Sequence, residues 1–241
     1  MSNYQHLNNK SHQDIKVQTK HSALLGDAIA SCLTFPTEFG DVQSEYPILF
    51  RKDPQTDEFC SIAVFGFEQG ENLFLQNEQW QANYIPAAVK KGPFLIGFQN
   101  QTQQGGNAEE AIINIDMDNP RINQKEGEAI FLSDGSPSPY TEQMNSLLHS
   151  IHQGIEFSTA MFAAFSEFEL IEPVTVDIEL DNGQKLQLQD NYTIHEETLA
   201  NLDGQALEKL NKAGFLQAAF LVVASLNNIK QLVELKNKQT S

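Results

Sequence analysis

Basic residues are scarce in this chain: 15 Lys and Arg stand against 32 Asp and Glu over 241 residues, a formal charge of −17. That balance repels a phosphate backbone unless the cations gather on one face. No such gathering is visible, since Lys90-Lys91 and the C-terminal Lys230, Lys236 and Lys238 are too sparse for a nucleic-acid footprint, so nucleic acid is not an expected partner. Cysteine is nearly missing. Cys32 and Cys60 lie far apart, without a CxxC or a His at metal spacing, which excludes a disulfide framework and fits a reducing compartment. Long apolar runs are missing too. The most apolar, "FLQAAFLVVASL" from Phe215 to Leu226, carries a Gln and falls short of the roughly 20 residues a membrane helix needs, so a buried helix is expected rather than a span. The start, "MSNYQHLNNKSHQDIKVQTKHS", has no apolar core of a secretory signal, and a soluble, cytoplasmic protein is expected.

Local catalytic signatures are also lacking. There is no GxxxxGK[ST], GxGxxG, HExxH or GxSxG, so nucleotide cradles, zincins and hydrolase elbows have no support, and no cofactor, metal or catalytic residue set is expected.

What is present is an apolar share of 40%, enough at this length to fill a core. Residues 1–22 read as a polar N-terminal tail and 23–241 as one domain. "EYPILF" enters a buried strand at Ile48 to Phe50, Asp53-Pro54 turns the chain, and "CSIAVFGF" returns, so 46–67 reads as a hairpin. "NLFL", Asn72 to Leu75, reads as a third short strand. Pro86 suits a helix start and Gly92 the position past its end, which predicts a short helix between them. "FLIGF", Phe94 to Phe98, is a predicted strand, "QNQTQQGGNAEE" a polar loop, and "AIINIDM" and "GEAIFLSDG" two further strands. Ser138-Pro139 has the form of an N-cap and first helical residue. Met144, Leu147, Leu148, Ile151, Ile155, Phe162 and Phe165 then follow at helical spacing and predict a long helix. "VTVDIELDNGQKLQLQ" alternates around Asn182-Gly183 and predicts a hairpin over 174–189. From Glu196 onward the pattern is helical, with breaks near Gly204 and Gly214. The sum is an α+β fold: a largely antiparallel sheet of hairpins, one long central helix and a helical C-terminus.

Two polar groupings resemble metal sites and fit blander roles better. His149, His152 and Glu156 share one side of the long helix, opposite the stripe of Leu147, Ile151 and Ile155, which marks a solvated face. Asp116, Asp118 and Asn119 lack the glycine of a calcium loop and run into Pro120, which marks a turn.

The stretch "GENLFLQNEQWQANYIPAAVKKGPF", Gly70 to Phe94, concentrates the sole Trp, a Tyr, two Pro and a Lys pair. Two readings stand: Trp80 and Tyr84 are core anchors, or they are rings beside Lys90 and Lys91 that bind a partner or ligand. On the second reading Leu73, Leu75, Ile85 and Phe94 are buried while both lysines face solvent.

"EYPILF", "GENLFL", the Trp80-to-Phe94 segment ending "YIPAAVKKGPF", "GEAIFLSDG" and the spaced leucines before "GFL" and "ASL" near the C-terminus together resemble the SapC-like family of bacterial proteins. The family takes its name from a surface-layer locus. Its members commonly carry two Arg and an aromatic where this chain has Lys90, Lys91 and Gly92, and Lys replaces Arg only as a point charge. The expected function is a SapC-like accessory or interaction protein that docks an unidentified protein partner through the aromatic and basic segment of Trp80, Tyr84, Lys90 and Lys91. The resemblance leaves a surface-layer or export-associated structural protein as one alternative, and an enzyme or auxiliary subunit in peptide, amino-acid or saccharide modification as another.

Overall fold

The structure is a computed structural model that describes residues 3–103 and 106–240. Its strands are β1 (Tyr4–His6), β2 (Lys16–Val17), β3 (Ser31–Thr34), β4 (Ile48–Lys52), β5 (Phe59–Val64), β6 (Leu75–Gln76), β7 (Gln79–Trp80), β8 (Phe94–Gln103), β9 (Gly106–Asp116), β10 (Ile122–Asn123), β11 (Glu128–Ala129), β12 (Ile171–Glu179) and β13 (Lys185–Ile194). Its helices are α1 (Phe39–Val42), α2 (Ala87–Lys90), α3 (Pro139–Glu167), α4 (Glu196–Ala200), α5 (Gly204–Lys212), α6 (Phe215–Ser225) and α7 (Asn228–Thr240). The class is α+β, and every strand pairing is antiparallel. A five-stranded sheet runs β12-β13-β4-β5-β3, beside it stand β1-β9-β8 and β10-β2-β11, and β6-β7 is a small hairpin.

Helix α3 organises the interior. Ser138 accepts a hydrogen bond from the Thr141 amide and Pro139 takes the first helical position, as the sequence predicts. Its 29 residues reach about 44 Å, far enough to serve two cores. The N-terminal half buries Met144 and Leu148 with Ile15, Val17, Phe94, Ile115 and Ile130. The C-terminal half buries Met161, Phe162 and Phe165 against the five-stranded sheet and the C-terminal helices. Between them Ile151 meets Phe35 and Ala87, which brings α2 against the middle of α3. Ile155 departs from the expected stripe and lies 48% exposed. The stripe drifts because a straight helix turns past a fixed contact line over this length.

The 46–67 hairpin forms as β4–β5, with Ile48, Leu49 and Phe50 wholly buried. The 174–189 hairpin forms as β12–β13 around Gly183, whose φ of 84° is the left-handed conformation that a turn there requires. Other expectations need correction. "NLFL" is strand only from Leu75, because Leu73 and Phe74 sit in a turn that drops both side chains into the core. The polar loop after Phe98 is, where described, a continuation of β8 and β9, paired as far as Gln103 and Gly106; residues 104 and 105 lie outside the described residues. The N-terminal tail is likewise not left free: β1 pairs with β9, β2 lies between β10 and β11, and Ile15, Val17 and His12 are buried. These segments carry too few apolar residues to announce strands, and the ladder of a neighbouring strand supplies what their composition does not.

Helices α6 and α7 together form a run, Phe215–Gln239, long and apolar enough by length and composition to cross a membrane, an 18-residue window of it reaching a mean hydropathy of 1.2. Ala218, Ala219, Val222 and Leu232 of this run lie in the main core, and the buried Ser225 hydroxyl accepts the Ile48 amide of β4 at 2.9 Å.

Gly154 marks the closest approach to α3. A Cβ there would stand 2.7 Å from the Phe35 Cβ and 3.0 Å from the Thr37 hydroxyl. Ala favours a helix over Gly by up to about 1 kcal/mol, whereas an overpacked site costs about 1–3 kcal/mol. Because the clash is with an atom fixed to the backbone, Gly154→Ala is expected to lower stability by about 1 kcal/mol or more, read as the shift in a denaturant midpoint.

Candidate functional site

The stretch from Trp80 to Phe94 is held from below by two carboxylates that flank α1. Glu38, 6% exposed, accepts hydrogen bonds from the Thr34 hydroxyl at 2.9 Å, the Tyr84 hydroxyl at 2.7 Å and the Ala87 amide at 2.9 Å. Glu45 accepts from the Asn83 amide at 2.8 Å, the Asn83 side chain at 2.9 Å and the Tyr84 amide at 2.7 Å. Tyr46, fully buried, adds a third anchor: its hydroxyl donates to the Tyr84 carbonyl at 2.5 Å and accepts from the Trp80 indole at 2.7 Å. Burial pushes the Tyr84 and Tyr46 hydroxyls well above the usual phenol range, and the Glu38 and Glu45 charges beside them push the same way. Burial and Glu38 likewise raise the Cys32 thiol, which leaves it a poor nucleophile.

Trp80 and Tyr84 are therefore half-buried anchors with their polar tips already engaged. The lysines separate. Lys90 is exposed, but Lys91 is half-buried with its ammonium 3.4 Å from the Phe94 carbonyl, and burial lowers its pKa, so the expected pair of solvent-facing lysines is one lysine. The reason is helical geometry, since adjacent residues point about 100° apart and α2 has one face on the core. Leu73 and Phe94 are buried as expected, whereas Leu75 and Ile85 are only half-buried.

Above this base lies a cleft of about 470 Å³ that Lys90 borders together with Ile85, Val89 and Gly92. Its opposite wall is the first turns of α3, with Tyr140, Gln143 and Met144, and His21, Arg121 and Glu128 also line it, beside Gln18 and Thr19. The Trp80 ring meets the His21 ring edge-on at 5.4 Å, which ties the anchor network to the cleft. Arg121 is pinned. It donates to the Gln18 carbonyl at 3.0 Å, the Lys20 carbonyl at 2.6 Å and the buried Asp27 carboxylate at 2.5 Å. Asp27 in turn lies 3.3 Å from His21 Nδ1 and accepts from the Ser22 amide at 2.8 Å. Burial alone would raise the Asp27 pKa, but His21, Arg121 and the Ser22 amide outweigh it and hold the carboxyl below its ordinary value. His21 Nδ1 is buried and, despite that proximity, has no hydrogen-bond partner among the described residues. Among the described residues none hydrogen-bonds the Lys90 ammonium, the Tyr140 hydroxyl or the Gln143 amide.

A larger cleft, about 700 Å³, opens at the other end of α3 and holds none of the residues singled out in the sequence. Its lysine, Lys209, is bound by both Glu167 oxygens at 2.6 Å, and its His195 caps α4. The two metal-like groupings take the blander roles. His152 Nε2 lies 3.7 Å from Glu156 on an open helix face, and Asp116 and Asn119 accept amides within their own turn. Among the described residues no three His, Cys, Asp or Glu side chains are grouped to hold a metal ion.

Sequence reasoning missed Glu38, Glu45, His21, Asp27 and Arg121. Only Glu38 and Glu45 carried a signal, seven residues apart and so about two helical turns apart on one side of the α1 segment.

Two substitutions probe the base of the site. Glu38→Ala strands three donors and is expected to cost about 3 kcal/mol or more, measured by denaturant unfolding. Asp27→Asn leaves Arg121 buried without its counter-charge and is expected to cost about 3 kcal/mol or more at pH 7. Because the folded pKa of Asp27 is depressed, its stabilisation is present above about pH 4 and is lost as pH falls through the folded value. The melting-temperature gap between wild type and Asp27→Asn should accordingly narrow below about pH 4, in a titration from neutral to acid.

Searches of curated proteins and of solved structures each return no match. The SapC family model, in contrast, matches residues 7–232 of the 241, which takes in both cores, the anchor network and the cleft, and the chain belongs to the SapC family.

Proposed function

We propose that this SapC-family chain is an accessory protein that docks a partner, and that docking takes place at the cleft between α2 and the start of α3. The observation that carries the reading is the position of Lys90. It is the one exposed cation of the Trp80-to-Phe94 stretch, it stands at the mouth of the cleft, and no described residue pairs with it. On a chain of charge −17, an unpaired cation beside the apolar Ile85, Val89 and Met144 favours a partner that presents an apolar group with a carboxylate beside it. In this reading Trp80 and Tyr84 act from beneath, as the anchors that fix the rim, and Lys91 serves the fold.

A photo-crosslinking residue in place of the exposed Gln143 tests the reading in cells of the native host. The expected result is one adduct of discrete size, lost when Lys90→Glu is added and not formed when the crosslinker replaces Phe220 on the far helix α6. An adduct indifferent to Lys90→Glu, or no adduct at Gln143, overturns the reading. Exposed charges contribute little to stability, so Lys90→Glu should leave the melting temperature nearly unchanged.

A further inference from the structure

The cleft has the volume of a small-molecule site, and its lining mixes charged, neutral polar and apolar side chains. Lys90, Arg121 and His21 face a single acid, Glu128, in a chain where acids outnumber bases two to one. Asp27 neutralises Arg121, so the charges left in the lining are the Lys90 ammonium and the Glu128 carboxylate, with His21 beside Asp27. The neutral polar groups include the Tyr140 hydroxyl, the Gln143 amide and the side chains of Gln18 and Thr19, and the apolar lining includes Ile85, Val89, Met144 and the Tyr140 ring. Burial pushes the Tyr140 hydroxyl up to about 12, which keeps it a proton donor across the physiological range.

We infer that the cleft takes a monocarboxylate on a compact apolar body, with the carboxylate at Lys90 and Tyr140 and the apolar body against Ile85, Val89 and Met144. The inference rests on the docking reading above and names what enters the cleft. A dianion such as phosphate fits poorly, because only one cation is uncommitted and Glu128 stands in the wall. An uncharged body leaves the Lys90 ammonium without a partner. The same carboxylate can come from a free small acid or from the C-terminal residue of another chain, and the two differ in what lies beyond the carboxyl-bearing residue.

The protein carries its own reporter, since its sole Trp packs against His21 in the cleft wall. Full-length protein is titrated with phenylacetate, 2-phenylethanol, inorganic phosphate and a short peptide ending in Phe with a free carboxyl terminus, and Trp80 emission is followed. The expected result is a saturable change with phenylacetate and at least tenfold weaker binding of 2-phenylethanol and phosphate. Lys90→Met should weaken phenylacetate about tenfold, the loss of one charged contact, without altering the emission of the free protein. Tighter binding of the peptide than of phenylacetate assigns the carboxylate to a chain end, and tighter binding of phenylacetate assigns it to a free acid. Equal binding of phenylacetate and 2-phenylethanol, preference for phosphate, or no saturable change with any probe overturns the inference. If the Gln143 adduct forms while all four probes fail, the docking reading stands and the carboxylate inference alone falls.

Discussion

The Glu38 carboxylate is the joint on which the arrangement turns. It is buried, and a buried carboxylate is tolerable only when its oxygens are filled, here by Thr34 of β3, by Tyr84 and by the first amide of α2. These three donors come from the edge of the main sheet and from the stretch that crosses to the second core, so one side chain fixes where the two meet. Tyr46 and Glu45 repeat the device a few residues on, from the segment that joins α1 to β4. The result is a short helix of four residues that could not hold itself together alone, kept in place by side chains outside it.

Long helix α3 makes that joint mechanically consequential. It carries one core at each end, and at its middle Phe35 and Ala87 close on Ile151 with no room for a side chain at Gly154. The middle of α3 is thereby held against the segment of Phe35 and Thr37, and Ala87 seats α2 on the same cluster, which fixes α2 beside α3. A site of this kind is shaped before a ligand arrives, which reduces the ordering cost of binding.

Charge follows the same division of labour. Arg121, Asp27 and His21 form a chain of contacts in the cleft wall, in which Arg121 is satisfied by Asp27 and by backbone carbonyls, while Lys90 is left over at the rim. The adjacent Lys91 shows how little the residue type decides: one position later on a short helix, the same ammonium is drawn to a backbone carbonyl and away from solvent.

The sequence by itself determined the α+β class, the long helix from Ser138-Pro139, the hairpins at 46–67 and 174–189, and the breaks that divide the C-terminal helices. In each case the cause is local: a cap, a Pro or Gly with a required backbone angle, or a sustained period of apolar residues. Tertiary structure decided the rest. Residues 4–6, 16–17, 99–103 and 106–110 are polar enough to pass for tail and loop, and they become strands only because a partner ladder awaits them. Of the residues read as a site, Trp80, Tyr84, Lys90 and Lys91, the structure gathers all four in one region but leaves only Lys90 exposed at a cleft. Asp27 and Arg121 were illegible because they pair with each other across 94 positions, and the joint at Glu38 was illegible because Tyr84 and Ala87 lie 46 and 49 positions away, beyond the reach of any spacing rule.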